Sequence, residues 1–228
     1  MDRNPILCAI DTPDLARAQA LIAATQGAVG GVKLGLEFFV AHGPEGIRKA
    51  AADQRNVFLD LKLHDIPNTV AGAVKSALAL DPLLLTIHCG GGPAMMRAAA
   101  EARGAARTRL LGVTVLTSLD DSDLAAVGQN GPTAAQVRRL ALLAQESGLD
   151  GVICSPQEIA MLREVCRKDF LLVVPGIRPA GVAAQDQKRV QTPRDAIAAG
   201  ADWLVIGRPI TEAPDPGAAA RAIFAEIP

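Results

Sequence analysis

Residues 57–65 read Val-Phe-Leu-Asp-Leu-Lys-Leu-His-Asp, ionisable groups set into an aliphatic run at every second place. On a β-strand that period puts Phe58, Asp60, Lys62 and His64 on one face and Val57, Leu59, Leu61 and Leu63 on the other. An aspartate and a lysine side by side suit proton transfer and charge stabilisation at a reacting atom. The charged face of a half-exposed strand would show the same alternation. Pro67 opens a helical pattern directly afterwards, so the charges gather where a strand hands over to a helix. In α/β folds that edge is where sites are built.

The elements that must position these groups recur along the chain. Further aliphatic runs lie at 6–10, 31–36, 83–87, 110–116, 151–154, 170–174 and 203–206. Helical spacing follows each: 14–25, segments reaching 52, 67–80, a stretch ending near 103, two patches at 121–127 and 133–147, then 156–166, a helix from Pro193, and 217–226. Eight strand-then-helix units without a linker or a composition shift predict a single-domain (β/α)8 TIM barrel over residues 1–228. A doubly wound open sheet is the alternative. It usually carries a glycine-rich turn after its first strand, where this chain has Asp11-Thr12-Pro13-Asp14.

In a barrel the carboxyl ends of all strands ring one mouth, so Asp11, Lys33, Asp60, Lys62, His88, Thr117, Arg178 and Arg208 are expected to converge. Alternating aspartates and lysines would hold one another ionised, making Lys62 an ammonium able to donate a proton. A Schiff-base lysine needs the opposite, an apolar pocket. A purely structural ion-pair network is the competing reading, but desolvation tends to offset the Coulomb gain of such networks. Pro175-Gly176-Ile177-Arg178 and Ile206-Gly207-Arg208-Pro209 place glycines and arginines after strands seven and eight, the usual phosphate site of these barrels. Between them, 179–191 is polar and aperiodic, the mark of a functional lid or a disordered loop.

Composition narrows the function classes. A net charge of −1 with interspersed signs offers no footprint for nucleic acid or an anionic membrane, and one tryptophan without tyrosine gives little base-stacking surface. The expected partner is a small molecule. No apolar run approaches the length of a spanning helix and the amino terminus has no leader pattern, so a cytoplasmic location is expected. Cys8, Cys89, Cys154 and Cys166 lack paired spacing and read as small buried hydrophobes. His42, His64 and His88 form no metal-binding pattern, so no metal is expected. Ser118 and Ser155 have no histidine base nearby in sequence, so a nucleophilic triad is unsupported.

The run 60–69, Asp-Leu-Lys-Leu-His-Asp-Ile-Pro-Asn-Thr, resembles the signature of the orotidine 5'-phosphate decarboxylase family. Asp11, Lys33, Thr117-Ser118, Pro175 to Pro179, Asp186-Gln187 and Gly207-Arg208 extend the resemblance over the whole chain. It implies decarboxylation of orotidine 5'-phosphate at C6 to uridine 5'-phosphate in pyrimidine biosynthesis, with no cofactor or metal. By the same resemblance Lys62 protonates C6 and Asp60 sits by the departing carboxylate. Asp11 and Lys33 hold the ribose and the charge network, and Thr117 and Ser118 the pyrimidine edge. Gln187, Gly207 and Arg208 hold the phosphate, beside Pro175 and Arg178. It further implies a homodimer in which Asp65, Ile66 and Thr69 reach the partner's site. Two rivals remain: a magnesium-dependent sugar-phosphate decarboxylase or aldol enzyme of the same superfamily, and a barrel that binds nucleotides without catalysis. Pro67-Asn68-Thr69 and the lack of extra acidic ligands weigh against the first, the intact charge quartet against the second.

Overall fold

The computed structural model describes residues 4–52, 54, 56–129, 131–179 and 191–227. Its strands are β1 Ile6–Ile10, β2 Gly31–Gly35, β3 Val57–Leu63, β4 Leu84–His88, β5 Arg109–Val113, β6 Gly151–Ile153, β7 Leu171–Val174 and β8 Trp203–Ile206. They pair in parallel in chain order, and β8 returns to β1, which closes the barrel and leaves no open edge. The expected (β/α)8 architecture is the observed one, and the open sheet is excluded. Strand ends depart from expectation where a neighbour runs out. β5 stops at Val113, whose partner Ile153 is the last residue of β6.

The helices are α1 Leu15–Thr25, α2 Leu36–Ala50, α3 Pro67–Leu78, α4 Gly92–Arg103, α5 Asp121–Ala126, α6 Thr133–Glu146, α7 Ile159–Val165, α8 Pro193–Ala199, α9 Arg208–Thr211 and α10 Pro216–Ala225. Their starts are written locally. Asp14, Asp120, Thr192 and Asp215 accept hydrogen bonds from first-turn amides, and prolines occupy the first turns of α3, α8 and α10, where no N–H is needed. α2 is broken at Gly43, whose φ of 61° before Pro44 no helix accommodates. Among the described residues no helix is long and apolar enough to cross a membrane.

Two apolar layers hold the barrel. Inside it, Leu7, Ala9, Phe58, Leu84, Leu111, Val173, Trp203 and Val205 form one buried cluster. Outside, the alternate residues Ile6, Cys8, Ile10, Leu34 and Leu59 meet helix residues such as Ala18, Leu21, Val70 and Val74. Burial of a side chain such as Phe58 contributes ~1.5–3 kcal/mol. The ladder then sets the next inward layer: Lys33 lies opposite Phe58, and Gly35 opposite Asp60. Charged groups therefore rest on an apolar floor.

All four cysteines are free and buried. Burial pushes the Cys8 and Cys89 thiols up to about 12, with Asp11 adding to the effect at Cys8. Both therefore stay protonated, the unreactive form of the group, near neutral pH. An aromatic disulfide reagent should leave both unmodified in the native protein and count four thiols after denaturation. Rapid native labelling of Cys8 or Cys89 would show that the barrel wall opens.

Candidate active site

β3 carries the centre of the site and departs from the plain alternation expected of it. Val57 to Leu61 are buried on both faces, which removes the reading of a half-exposed strand. Lys62 has φ of 49°, in the left-handed region, a conformation costing a residue with a side chain ~1–2 kcal/mol. The pairing with β4 shifts here: Leu59 lies opposite Leu85 and Leu63 opposite Ile87, so four steps on β3 match two on β4. The surplus residues form a bulge, which re-aims the strand end. His64 consequently leaves the strand and stacks on His88, ring centroids 5.4 Å apart, rather than continuing the face of Asp60 and Lys62. Burial first, then His64 and Lys62, hold the His88 imidazole below its ordinary range.

The quartet expected from three separate stretches of sequence does converge. Lys33 Nζ donates to Asp11 Oδ1 at 2.8 Å and stands 3.9 Å from Asp60 Oδ2, which accepts from Lys62 Nζ at 2.8 Å. The charges alternate along this line. Its middle members are sequestered, with side chains of Lys33 and Asp60 only 11% and 12% exposed, while Lys62 is 30% exposed and faces the opening. Gly35 makes room for the contact, because a Cβ there would stand 3.3 Å from Lys33 Nζ.

Two cavities meet at this line and share Lys33, Pro175 and Val205. The smaller, about 160 Å³, has Lys33, Asp60, Lys62 and Thr117 on its polar side and Phe58, Val113, Val115, Leu116 and Ile153 around the rest. The larger, about 470 Å³, is lined by Asp11, Arg17, Lys33, Gly176, Arg178, Gly207, Arg208 and Glu212 among others. Four cations against two carboxylates leave this lining at +2, suited to a dianion. Gly176, φ 78°, takes the left-handed turn after Pro175 that brings the backbone to the rim. α9 spans four residues, so Arg208 and the Gly207 backbone, rather than a long helix terminus, form that end of the cavity.

Not every expected residue enters. Ser118 is exposed and lines neither cavity, unlike its neighbour Thr117. Asp65, Ile66 and Thr69 are exposed beyond β3 and line neither of these two cavities; Asp65 accepts the Ile66 N–H at 2.6 Å. Gln187 and its competitor Gln185 lie outside the described residues. Sequence reasoning missed Arg17, which sits on α1 with no local mark of its role, and Thr86 on β4. Thr86 left a trace: it is the polar residue in Leu-Leu-Leu-Thr-Ile, in step with inward-facing Leu84. Among the described residues no group of three or more histidines, cysteines, aspartates or glutamates is arranged to hold a metal ion.

A closed parallel barrel with alternating acids and ammoniums at its mouth, beside a cationic cavity, defines an enzyme of the (β/α)8 class that acts on a small anionic molecule. A family model described as orotidine 5'-phosphate decarboxylase / HUMPS family matches residues 4–223. Orotidine 5'-phosphate decarboxylase of Thermobifida fusca is 54% identical over 226 residues, covering 98% of this chain and 95% of that protein. The enzyme of the same name from Rhodospirillum rubrum is 52% identical over 235 residues, covering 100% of this chain and 95% of that one. A crystal structure of orotidine 5'-phosphate decarboxylase from Lactobacillus acidophilus matches with a TM-score of 0.85 at 39% identity, over 98% of each chain. The chain belongs to the orotidine 5'-phosphate decarboxylase / HUMPS family.

Proposed function

We propose that this protein decarboxylates orotidine 5'-phosphate to uridine 5'-phosphate and CO2 in pyrimidine biosynthesis. The observation that carries the reading is the Asp11–Lys33–Asp60–Lys62 line between a small, mostly apolar cavity and a cationic one. Full-length relatives at 50–54% identity bear the decarboxylase name, which favours this over a sugar-phosphate or aldol activity. The pyrimidine occupies the small cavity with its C6 at Lys62 and its carboxylate toward Asp60, and Thr117 serves its polar edge. Asp11 and Lys33 bind the ribose. The 5'-phosphate takes the cationic cavity with Arg208, Gly207, Arg178, Pro175 and, from the loop, Gln187.

The C6–carboxylate bond breaks, CO2 departs, and the electron pair left on C6 takes a proton from the Lys62 ammonium. That pair lies in the ring plane, out of conjugation, so the ring offers no electron sink of the kind a pyridoxal group provides. Barrier reductions of ~20 kcal/mol or more are known for such slow reactions, and a placed proton donor supplies only ~10²- to 10⁴-fold. The remainder comes from fixed charges at C6 and from phosphate and ribose binding energy realised in the transition state. In this scheme the side chains supply every charge, with no cofactor or metal ion. The direct test is loss of the substrate's ultraviolet absorbance with appearance of uridine 5'-phosphate; an enzyme that binds the substrate and leaves it intact would be a nucleotide-binding barrel instead.

The working unit in this reading is one barrel domain per chain, paired in a cytoplasmic homodimer. Exposed Leu36, Val40 and Ile66 lie on adjacent units at the mouth side, an apolar face suited to a second copy, and Asp65 and Thr69 stand beside it. Asp65, Ile66 and Thr69 then complete the partner's site. Mixing Lys62→Ala with Asp65→Ala subunits is expected to restore activity, because one site of each heterodimer carries neither lesion. Random exchange should yield about a quarter of the wild-type sites. A mixture as inactive as its parts, with exchange verified, would place Asp65 in the site of its own chain.

A further inference from the structure

Thr86 is fully buried on β4, and its hydroxyl is engaged twice. Oγ1 donates to Asp60 Oδ1 at 2.8 Å and accepts the Lys62 backbone N–H at 2.9 Å. The directions are forced: an amide can only donate and an ionised carboxylate can only accept, while a hydroxyl does both. The second bond falls where β3 and β4 lose their regular register. There the left-handed Lys62 amide turns to a side chain for its partner. The first bond occupies one oxygen of Asp60 and leaves the other, Oδ2, facing both ammoniums, Lys62 at 2.8 Å and Lys33 at 3.9 Å.

We propose that Thr86 is a positioning residue for the reaction: one hydroxyl sets the rotation of the Asp60 carboxylate and clamps the strained Lys62 backbone, so that carboxylate and ammonium present a fixed geometry to C6. The inference rests on the roles given above to Asp60 and Lys62. A rigid pair matters because preorganised charge stabilises a transition state without reorganising as the bond breaks. It also explains why a left-handed lysine persists: the neighbouring strand over-determines it.

Thr86→Val keeps the shape and removes both hydrogen bonds. It is expected to lower kcat ~10²-fold, the scale of losing a buried bond to a charged group. KM for orotidine 5'-phosphate should move less than about threefold, since the cationic cavity is untouched. Thr86→Ser restores the hydroxyl and should return kcat to within about tenfold of wild type. Thr108→Val is the control: its buried hydroxyl bonds Pro82 O at 2.7 Å at the opposite end of the barrel, so its loss should lower Tm and leave kcat alone. A merely structural Thr86 would behave like Thr108. Should Thr86→Val not fold, Thr86→Cys against Thr86→Ser reads the same difference, because a thiol is similar in size and a poor donor. Wild-type kcat in Thr86→Val or Thr86→Cys, with Lys62→Ala inactive, overturns this inference alone. Substantial activity in Lys62→Ala overturns the reading beneath it.

Discussion

Lys62→Ala is expected to abolish turnover while nucleotide binding stays measurable. Lys62 borders the small cavity and is absent from the lining of the cationic one, so its loss removes the proton donor and spares Arg17, Arg178 and Arg208. Proton donation accounts for ~10²- to 10⁴-fold. The loss should exceed that. Asp60, 12% exposed, would keep Lys33 at 3.9 Å as its remaining ammonium, and the charge balance at C6 would tip toward repulsion of the forming carbanion. Binding of uridine 5'-phosphate by calorimetry, beside single-turnover decarboxylation, separates the two effects. A variant keeping a tenth or more of wild-type kcat would remove Lys62 from the proton-donor role.

Arg208→Ala is expected to cost ~10²- to 10⁴-fold in kcat/KM, on the order of 3 to 5 kcal/mol, through loss of a charge-assisted phosphate contact in a partly enclosed cavity. Arg208 lies directly after β8, beside Gly207 and within the lining that also holds Arg178 and Gly176. The phosphate is remote from C6, so energy gained there accelerates the reaction only if it is realised more fully in the transition state than in the ground state. Lysine at this position should rescue in part, because it lacks the bidentate fork. The measurement is kcat/KM of wild type and Arg208→Ala on orotidine 5'-phosphate and on the phosphate-free nucleoside. The nucleoside offers no dianion, so the two enzymes should handle it nearly alike. An equal loss on both substrates would mean that Arg208 supports the barrel rather than the phosphate.

Much of this protein was decided locally. Aliphatic runs of strand length, each followed by a 3.6-residue period, set the order of the elements. Asp14, Asp120 and Asp215 mark helix starts because a short acceptor side chain satisfies amides within a few residues of itself. The quartet was legible because strands that end at one rim must bring their last residues together, so Asp11, Lys33, Asp60 and Lys62 could be joined across 52 residues once a barrel was inferred. What tertiary structure decided is where two strands fail to match. The period of β3 predicts one continuous charged face ending in His64. The register shift against β4 instead turns Lys62 left-handed, sends His64 to His88, and recruits Thr86 as the partner of an amide the ladder no longer serves. Arg17 entered the cationic cavity, and Ser118 stayed out of both cavities, for the same kind of reason. Their places depend on how a helix and a loop pack on the closed barrel, and a residue's own neighbours in sequence carry no record of that packing.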